Sequence, residues 1–239
     1  MPGPFEQRLR PTAELTTSVR LRGDRSIYEV QTANALYRDR LQHMGFAPAG
    51  EGGFRRDLSA TGDVLRTHRN FARHLEEMLL QSARLRPVPW EDTLDLILRR
   101  VQGTRLRWFL YGSGALAVRG VDVDPGDLDL WVDDAYLAGD LFEDLLVEPV
   151  TVMTGWVADL GGRAFAGCLF EWLAGVHPDI DQPAPHEQGP HALGHLEQVS
   201  WRGALVAVPP LELQLAVAER RSLTERAAKI RAFIAGSSR

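Results

Sequence analysis

The chain has one cysteine, one lysine and no apolar run approaching the ~18–20 residues that a membrane helix requires. A lone Cys168 excludes an internal disulfide and a cysteine-built metal cluster, so it is expected to be a small buried apolar residue. The opening MPGPFEQRLRP lacks the apolar core of a secretory signal, which makes a cytoplasmic location the expectation. Internal repeats and low-complexity tracts are also missing. With Lys229 as the only lysine, nearly every cation is a guanidinium. That suits bidentate phosphate contacts but is equally what a GC-rich genome produces. What is present is ordinary for a globular protein: 239 residues, 44% hydrophobic and 25% charged, enough for one large core or two smaller ones.

The net charge of −5 divides unevenly. Through residue 110 there are 18 arginines against 13 acids, a net of +5, and the remainder carries nine basic residues against 19 acids, a net of −10. The first part reads as a small βαβα module. TTSVRLRG is strand-like; Ile27, Val30, Ala33, Tyr37 and Leu41 recur at helical spacing up to Gly45; AGEGGFRR suggests a short strand; and Val64 to Leu79 trace one face of a helix starting near Thr61. RPVPW, residues 86–90, resembles a linker, which places a boundary near residue 87 between an N-terminal module (1–87) and a second unit (88–239). Leu94, Ile97 and Val101 mark a helix that ends at Gly103. Beyond it come a strand (RWFLY), a glycine turn opening a helix (GSGALAVRG), a strand (DLDLWVDD), a helix over 135–146 and two or three strands over 149–176. A long irregular stretch then leads to the strand WRGALVAV and a helical tail opened by Pro209 and Pro210. The expected fold class is α+β, a mixed sheet flanked by helices.

The chemistry concentrates in GSGALAVRGVDVDPGDLDLWV, residues 112–132. In a strand, Asp127 and Asp129 share one face while Leu128, Leu130 and Val132 point to the other. Two carboxylates on one face repel unless a cation lies between them, and Mg²⁺ suits that place because it takes carboxylate oxygens and keeps positions for water and phosphate. Gly112, Ser113 and Gly114 let backbone N–H groups at a helix start approach a triphosphate, with the Ser113 hydroxyl as a further donor. Asp122-Val123-Asp124 is a rival acid pair, but Pro125 and Gly126 follow it and would end a strand. Arg119 can either reach a phosphate or face the dipole at the helix C-terminus.

These residues resemble the polymerase β-like nucleotidyltransferase superfamily, whose signature is Gly, then Gly or Ser, a short spacer, then acid, hydrophobic, acid. Here Gly112 and Ser113 are followed by residues 114–126 and then Asp127, Leu128 and Asp129. The resemblance covers residues 107–176 well and 200–222 weakly. It implies a nucleotidyltransferase-like fold, with Asp127 and Asp129 as metal ligands and a third acid on a neighbouring strand. Glu171 in CLFEWLAGV has that setting; Asp159 competes, with Asp179 and Asp181 further off. The tail VAVPPLELQLAVAERR also resembles relatives, although Arg220 and Arg221 stand where lysine and a Lys-Asp pair are usual.

The implied activity is Mg²⁺-dependent (alternatively Mn²⁺-dependent) transfer of a nucleoside monophosphate from a nucleoside triphosphate such as ATP to an acceptor hydroxyl, with pyrophosphate leaving. Asp127, Asp129 and Glu171 would be catalytic and metal-binding, and Gly112, Ser113, Gly114 and Arg119 would bind the nucleotide. The acceptor is open: a small molecule, a tRNA end or a protein hydroxyl. The alternative is a degenerate copy of the fold that binds a nucleotide or a partner. Fifteen acids against Arg119 and Arg163 between residues 119 and 187 demand cations. His177, His186, His191 and His195 cluster, and His191 with His195 has the i, i+4 spacing of metal ligands, but the surrounding prolines favour a plain loop. The N-terminal arginines read as a solvated surface more readily than as an RNA-binding face.

Overall fold

A computed structural model describes residues 6–237; the first five residues of the opening stretch and residues 238–239 lie outside the described residues. The N-terminal part is built on an antiparallel sheet. Its elements run β1 (Glu6–Leu9), β2 (Thr16–Arg22), β3 (Arg25–Gln31), α1 (Ala35–His43), β4 (Ala47–Pro48), β5 (Gly53–Ser59) and α2 (Val64–Ser82), and the strand order is β1-β2-β3-β5-β4. The helix expected from Ile27 is therefore replaced by a strand over its first turns. Gly23, at φ +63°, makes a two-residue turn with Asp24, and the chain folds back with Arg22 opposite Arg25 and Val19 opposite Tyr28. Tertiary pairing overrides the helical spacing, and a helix begins only where Asn34 accepts the N–H groups of Leu36 and Tyr37.

A five-stranded mixed sheet forms the second half. Its elements are α3 (Trp90–Val101), β6 (Trp108–Tyr111), α4 (Gly112–Val118), β7 (Leu128–Val132), α5 (Ala135–Leu141), β8 (Leu146–Val152), β9 (Ala158–Phe165) and β10 (Leu169–Val176). The order β6-β7-β10-β9-β8 makes β7 and β10 parallel neighbours, while the other pairs are antiparallel. The helix expected over 135–146 is shorter, because Leu146 already belongs to β8. A 3-10 turn (Pro178–Asp181), α6 (Pro190–Leu193), the hairpin β11 (Glu197–Trp201) and β12 (Ala204–Val208), α7 (Leu211–Arg220) and α8 (Thr224–Ser237) complete the chain. The whole is α+β. Among the described residues, no helix is long and apolar enough to cross a membrane.

The two sheets are joined through α2. One face of this helix buries Phe71, Leu75, Met78 and Leu79, and the core they share includes Val147 of β8 and Phe165 of β9. Thr61 Oγ1 donates to Val150 O at 2.7 Å, and Val152 N donates to Ser59 Oγ at 3.1 Å, so the start of α2 and the end of β5 are stitched to β8. Cys168 is fully buried in the second core, as its isolation suggested, and burial pushes its thiol up to about 12.

Candidate active site

The local geometry begins at the end of β6. After Tyr111 the chain turns at Gly112, whose φ of +66° favours glycine, and a Cβ there would sit 2.7 Å from Asp129 Oδ2. A Cβ on Gly114 would sit 2.9 Å from Leu128 Cδ2 and 3.1 Å from Leu110 Cδ1, so this second glycine lets α4 pack closely on β6 and β7. Both glycines thus press the first turn of α4 against the strand that carries the acids. Ser113 follows, half-buried, and among the described residues its hydroxyl has no hydrogen-bond partner.

Along β7 the burial alternates: Leu128, Leu130 and Val132 are buried in the core, while Asp129 and Trp131 lie on the other face. Asp129 stands opposite Tyr111 on β6 and opposite Glu171 on β10. Asp127 immediately precedes the strand. The structure therefore brings Asp127, Asp129 and Glu171 to one end of adjacent strands. Burial, and next the nearby Glu171, push the Asp127 carboxyl up to about 6. Burial and then Asp127, Glu171 and Glu187 push Asp129 well above the usual carboxylate range. The guanidinium of Arg226, from α8, opposes both shifts.

The rival acids lie elsewhere. Asp122 and Asp124 are exposed in the loop before β7, where Asp124 faces Arg84. Asp159 is exposed and bonded to His177 Nε2 at 2.8 Å. Asp181 accepts the backbone N–H groups of His186 and His191, and so shapes its own loop. His191 and His195 stack on each other. Arg119 caps α4 and reaches Glu197 at 2.5 Å and Pro209 O at 2.7 Å, a tie between α4, β11 and the start of the tail.

Two partners of the site have no signature in the sequence. Glu187, buried in the Pro-rich stretch, accepts at Oε2 from Gly112 N and from Gln214 Nε2, both at 3.0 Å; Gln214 Nε2 also reaches Gly112 O at 3.2 Å. An acid within a loop of four prolines reads as solvated, and only the long-range fold reveals its place. Arg163 donates from Nε to Glu171 Oε2 at 2.7 Å, and from Nη1 to Glu148 Oε1 at 3.3 Å and Met44 O at 2.8 Å. Arg56 closes the set by pairing with Glu148 at 3.1 Å. Burial disfavours the Arg163 charge, but Glu148 and Glu171 outweigh it and hold its pKa above the ordinary value.

Among the described residues, no group of three or more His, Cys, Asp or Glu side chains is drawn together closely enough to hold a metal ion by itself. Asp127 and Asp129 are the carboxylates here that could hold a hard cation such as Mg²⁺. Mg²⁺ is commonly held by one or two carboxylates together with substrate phosphates rather than by an all-protein cage. Two half-buried acids whose pKa values are raised by desolvation and by neighbouring carboxylates are also groups that a cation would relieve.

No protein-family model matches the chain, and no curated protein matches it either. Among solved structures, a crystal structure of a "putative nucleotidyltransferase" from Thermotoga maritima aligns with a TM-score of 0.46 and 19% identity, over 62% of this chain and 94% of that one.

Proposed function

We propose that the chain is an Mg²⁺-dependent nucleotidyltransferase that moves a nucleoside monophosphate from a nucleoside triphosphate to an acceptor hydroxyl. The observation that carries this reading is the position of Asp129, in register with Glu171 on β10, beside Asp127, and in contact with the Gly112 turn. Asp127 and Asp129 would hold Mg²⁺, or Mn²⁺, which when bound supplies positive charge to the triphosphate and to the developing negative charge of transfer. Gly112, Ser113 and Gly114 would lie along the departing phosphates. The acceptor oxygen attacks the α-phosphorus in line, an O–P bond forms as the bond to the β-phosphate oxygen breaks, and pyrophosphate leaves. Glu171, once released from Arg163, is the group beside the pair that takes the hydroxyl proton.

A second reading has its own support. The Gly112 N–H and the Glu171 carboxylate are both satisfied internally, by Glu187 and Arg163. A degenerate copy of the fold would keep such contacts and bind a nucleotide without transferring it. Pyrophosphate release from nucleoside triphosphates with Mg²⁺ and acceptor pools separates the two. Release abolished by Asp127→Asn supports transfer; triphosphate binding without release supports the binding module.

A further inference from the structure

A cavity of about 940 Å³ lies between the N-terminal sheet and the β8–β9 side of the second sheet, and Glu171 and Arg163 form part of its wall. The same two residues also line a smaller cavity of about 240 Å³ that contains Asp127. Glu171 thus separates the aspartate side from a much larger space, one at the upper end of what ligand pockets occupy. The N-terminal module supplies one wall, including Arg25, Arg55, Arg56 and His43.

The charges in this cavity are unbalanced in a specific way. Its three carboxylates are all engaged: Asp57 by Arg55 at 2.7 Å, Glu148 by Arg56 and Arg163, and Glu171 by Arg163. Arg25 has no carboxylate within ion-pair distance among the described residues, so the uncommitted full charge is a cation. Among the residues lining the cavity, the end of β8 and the turn after it leave two apolar side chains uncovered, Val152 at 57% and Trp156 at 47% exposure. A free guanidinium and an open indole in one concavity suit a ligand with both an anionic group and a planar ring. With no free carboxylate, the cavity offers a polycationic acceptor only the face of Trp156, against the charge of Arg25.

We propose that this cavity is a nucleotide-binding site distinct from the Asp127–Asp129 site, taking a nucleotide that is either free or the 3′-terminal residue of a strand. Its ring lies against Trp156 and its phosphate faces Arg25. Naming this nucleotide as the acceptor rests on the nucleotidyl-transfer reading, with its hydroxyl directed toward Glu171; the binding itself does not.

The test is equilibrium binding to the full chain in EDTA without triphosphate. The probes are a labelled short single-stranded RNA with a free 3′ hydroxyl, adenosine monophosphate as competitor, and a polycationic aminocyclitol. Trp156→Ala and Arg25→Glu alter exposed side chains and should fold normally, as thermal melts would verify. Each should weaken nucleotide binding about fivefold or more, and Arg25→Glu should lower the salt slope for RNA by about one. Tighter binding of the strand than of the monophosphate identifies a strand end, and equal binding identifies a free nucleotide. The proposal is overturned if neither probe binds, if the aminocyclitol binds instead, or if both variants bind like wild type. Nucleotide binding sensitive to both variants, with no pyrophosphate release under any condition, would keep the site and discard the transfer reading. Release that Trp156→Ala and Arg25→Glu leave unchanged, together with unchanged binding, would do the reverse.

Discussion

Asp127 and Asp129 carry charge where burial and their neighbours both oppose it, and this has a measurable consequence. A carboxyl whose pKa is raised from 3.8 to about 6 holds its proton more tightly in the folded chain than in the unfolded one. Against the opposite slope of Asp39 and Asp144, whose carboxyls their arginine partners hold down, the contribution of Asp127 to metal-free stability should therefore fall as pH rises from about 4 through about 6. Asp127→Asn should flatten that slope and, near neutral pH in EDTA, stabilise the chain by on the order of 1 kcal/mol, seen as a rise of about 2–4 °C in melting temperature. A wild type and an Asp127→Asn variant with the same pH dependence over that window would show that the carboxyl is not held up by its surroundings. At Gly112 the direction is opposite. Gly112→Ala adds a methyl 2.7 Å from Asp129 Oδ2 at a φ of +66°, which should cost about 1–3 kcal/mol and displace the acid. Denaturant midpoints and pyrophosphate release, measured together, test both effects.

At the scale of elements, β7 and β10 form the platform and Arg163 of β9 ties it to the N-terminal sheet through Met44 O and the Glu148–Arg56 pair. Arg163→Met removes the cation that Glu148 and Glu171 share, and Glu148 is only 3% exposed. A loss of about 3 kcal/mol is expected, and adding Glu148→Gln should return much of it; urea unfolding of the two single variants and the double variant measures the coupling. These elements also mark what was legible in the sequence. The Asp127-Leu128-Asp129 alternation, the glycine turn and an acid isolated in the apolar strand of Glu171 are local patterns, so they can be read directly. The strand at Ile27 was not legible, because its apolar residues fit helical and strand spacings alike and pairing with β2 decides between them. Glu187 was hidden for a related reason: its partners, Gly112 and Gln214, are distant in sequence.

At the scale of the whole molecule, α2 and β5 are joined to β8 by a shared core and by the hydrogen bonds of Ser59 and Thr61. Val147 and Phe165 complete the core of the N-terminal part, so the chain should unfold in one cooperative transition by fluorescence and circular dichroism alike. Two separated transitions would show that residues 1–87 and 88–239 fold independently. The divided charge also has a place: the acidic half gathers Asp127, Asp129, Glu171 and Glu187 around Tyr111, and arginines of the N-terminal half line the large cavity that Glu171 also borders. The most direct measurement is calorimetric titration of Mg²⁺ with a non-hydrolysable nucleoside triphosphate into the wild type and into Asp127→Asn/Asp129→Asn. The account predicts Mg²⁺-dependent triphosphate binding in the wild type and its loss in a double variant that retains the fold; equal binding by both proteins would contradict it.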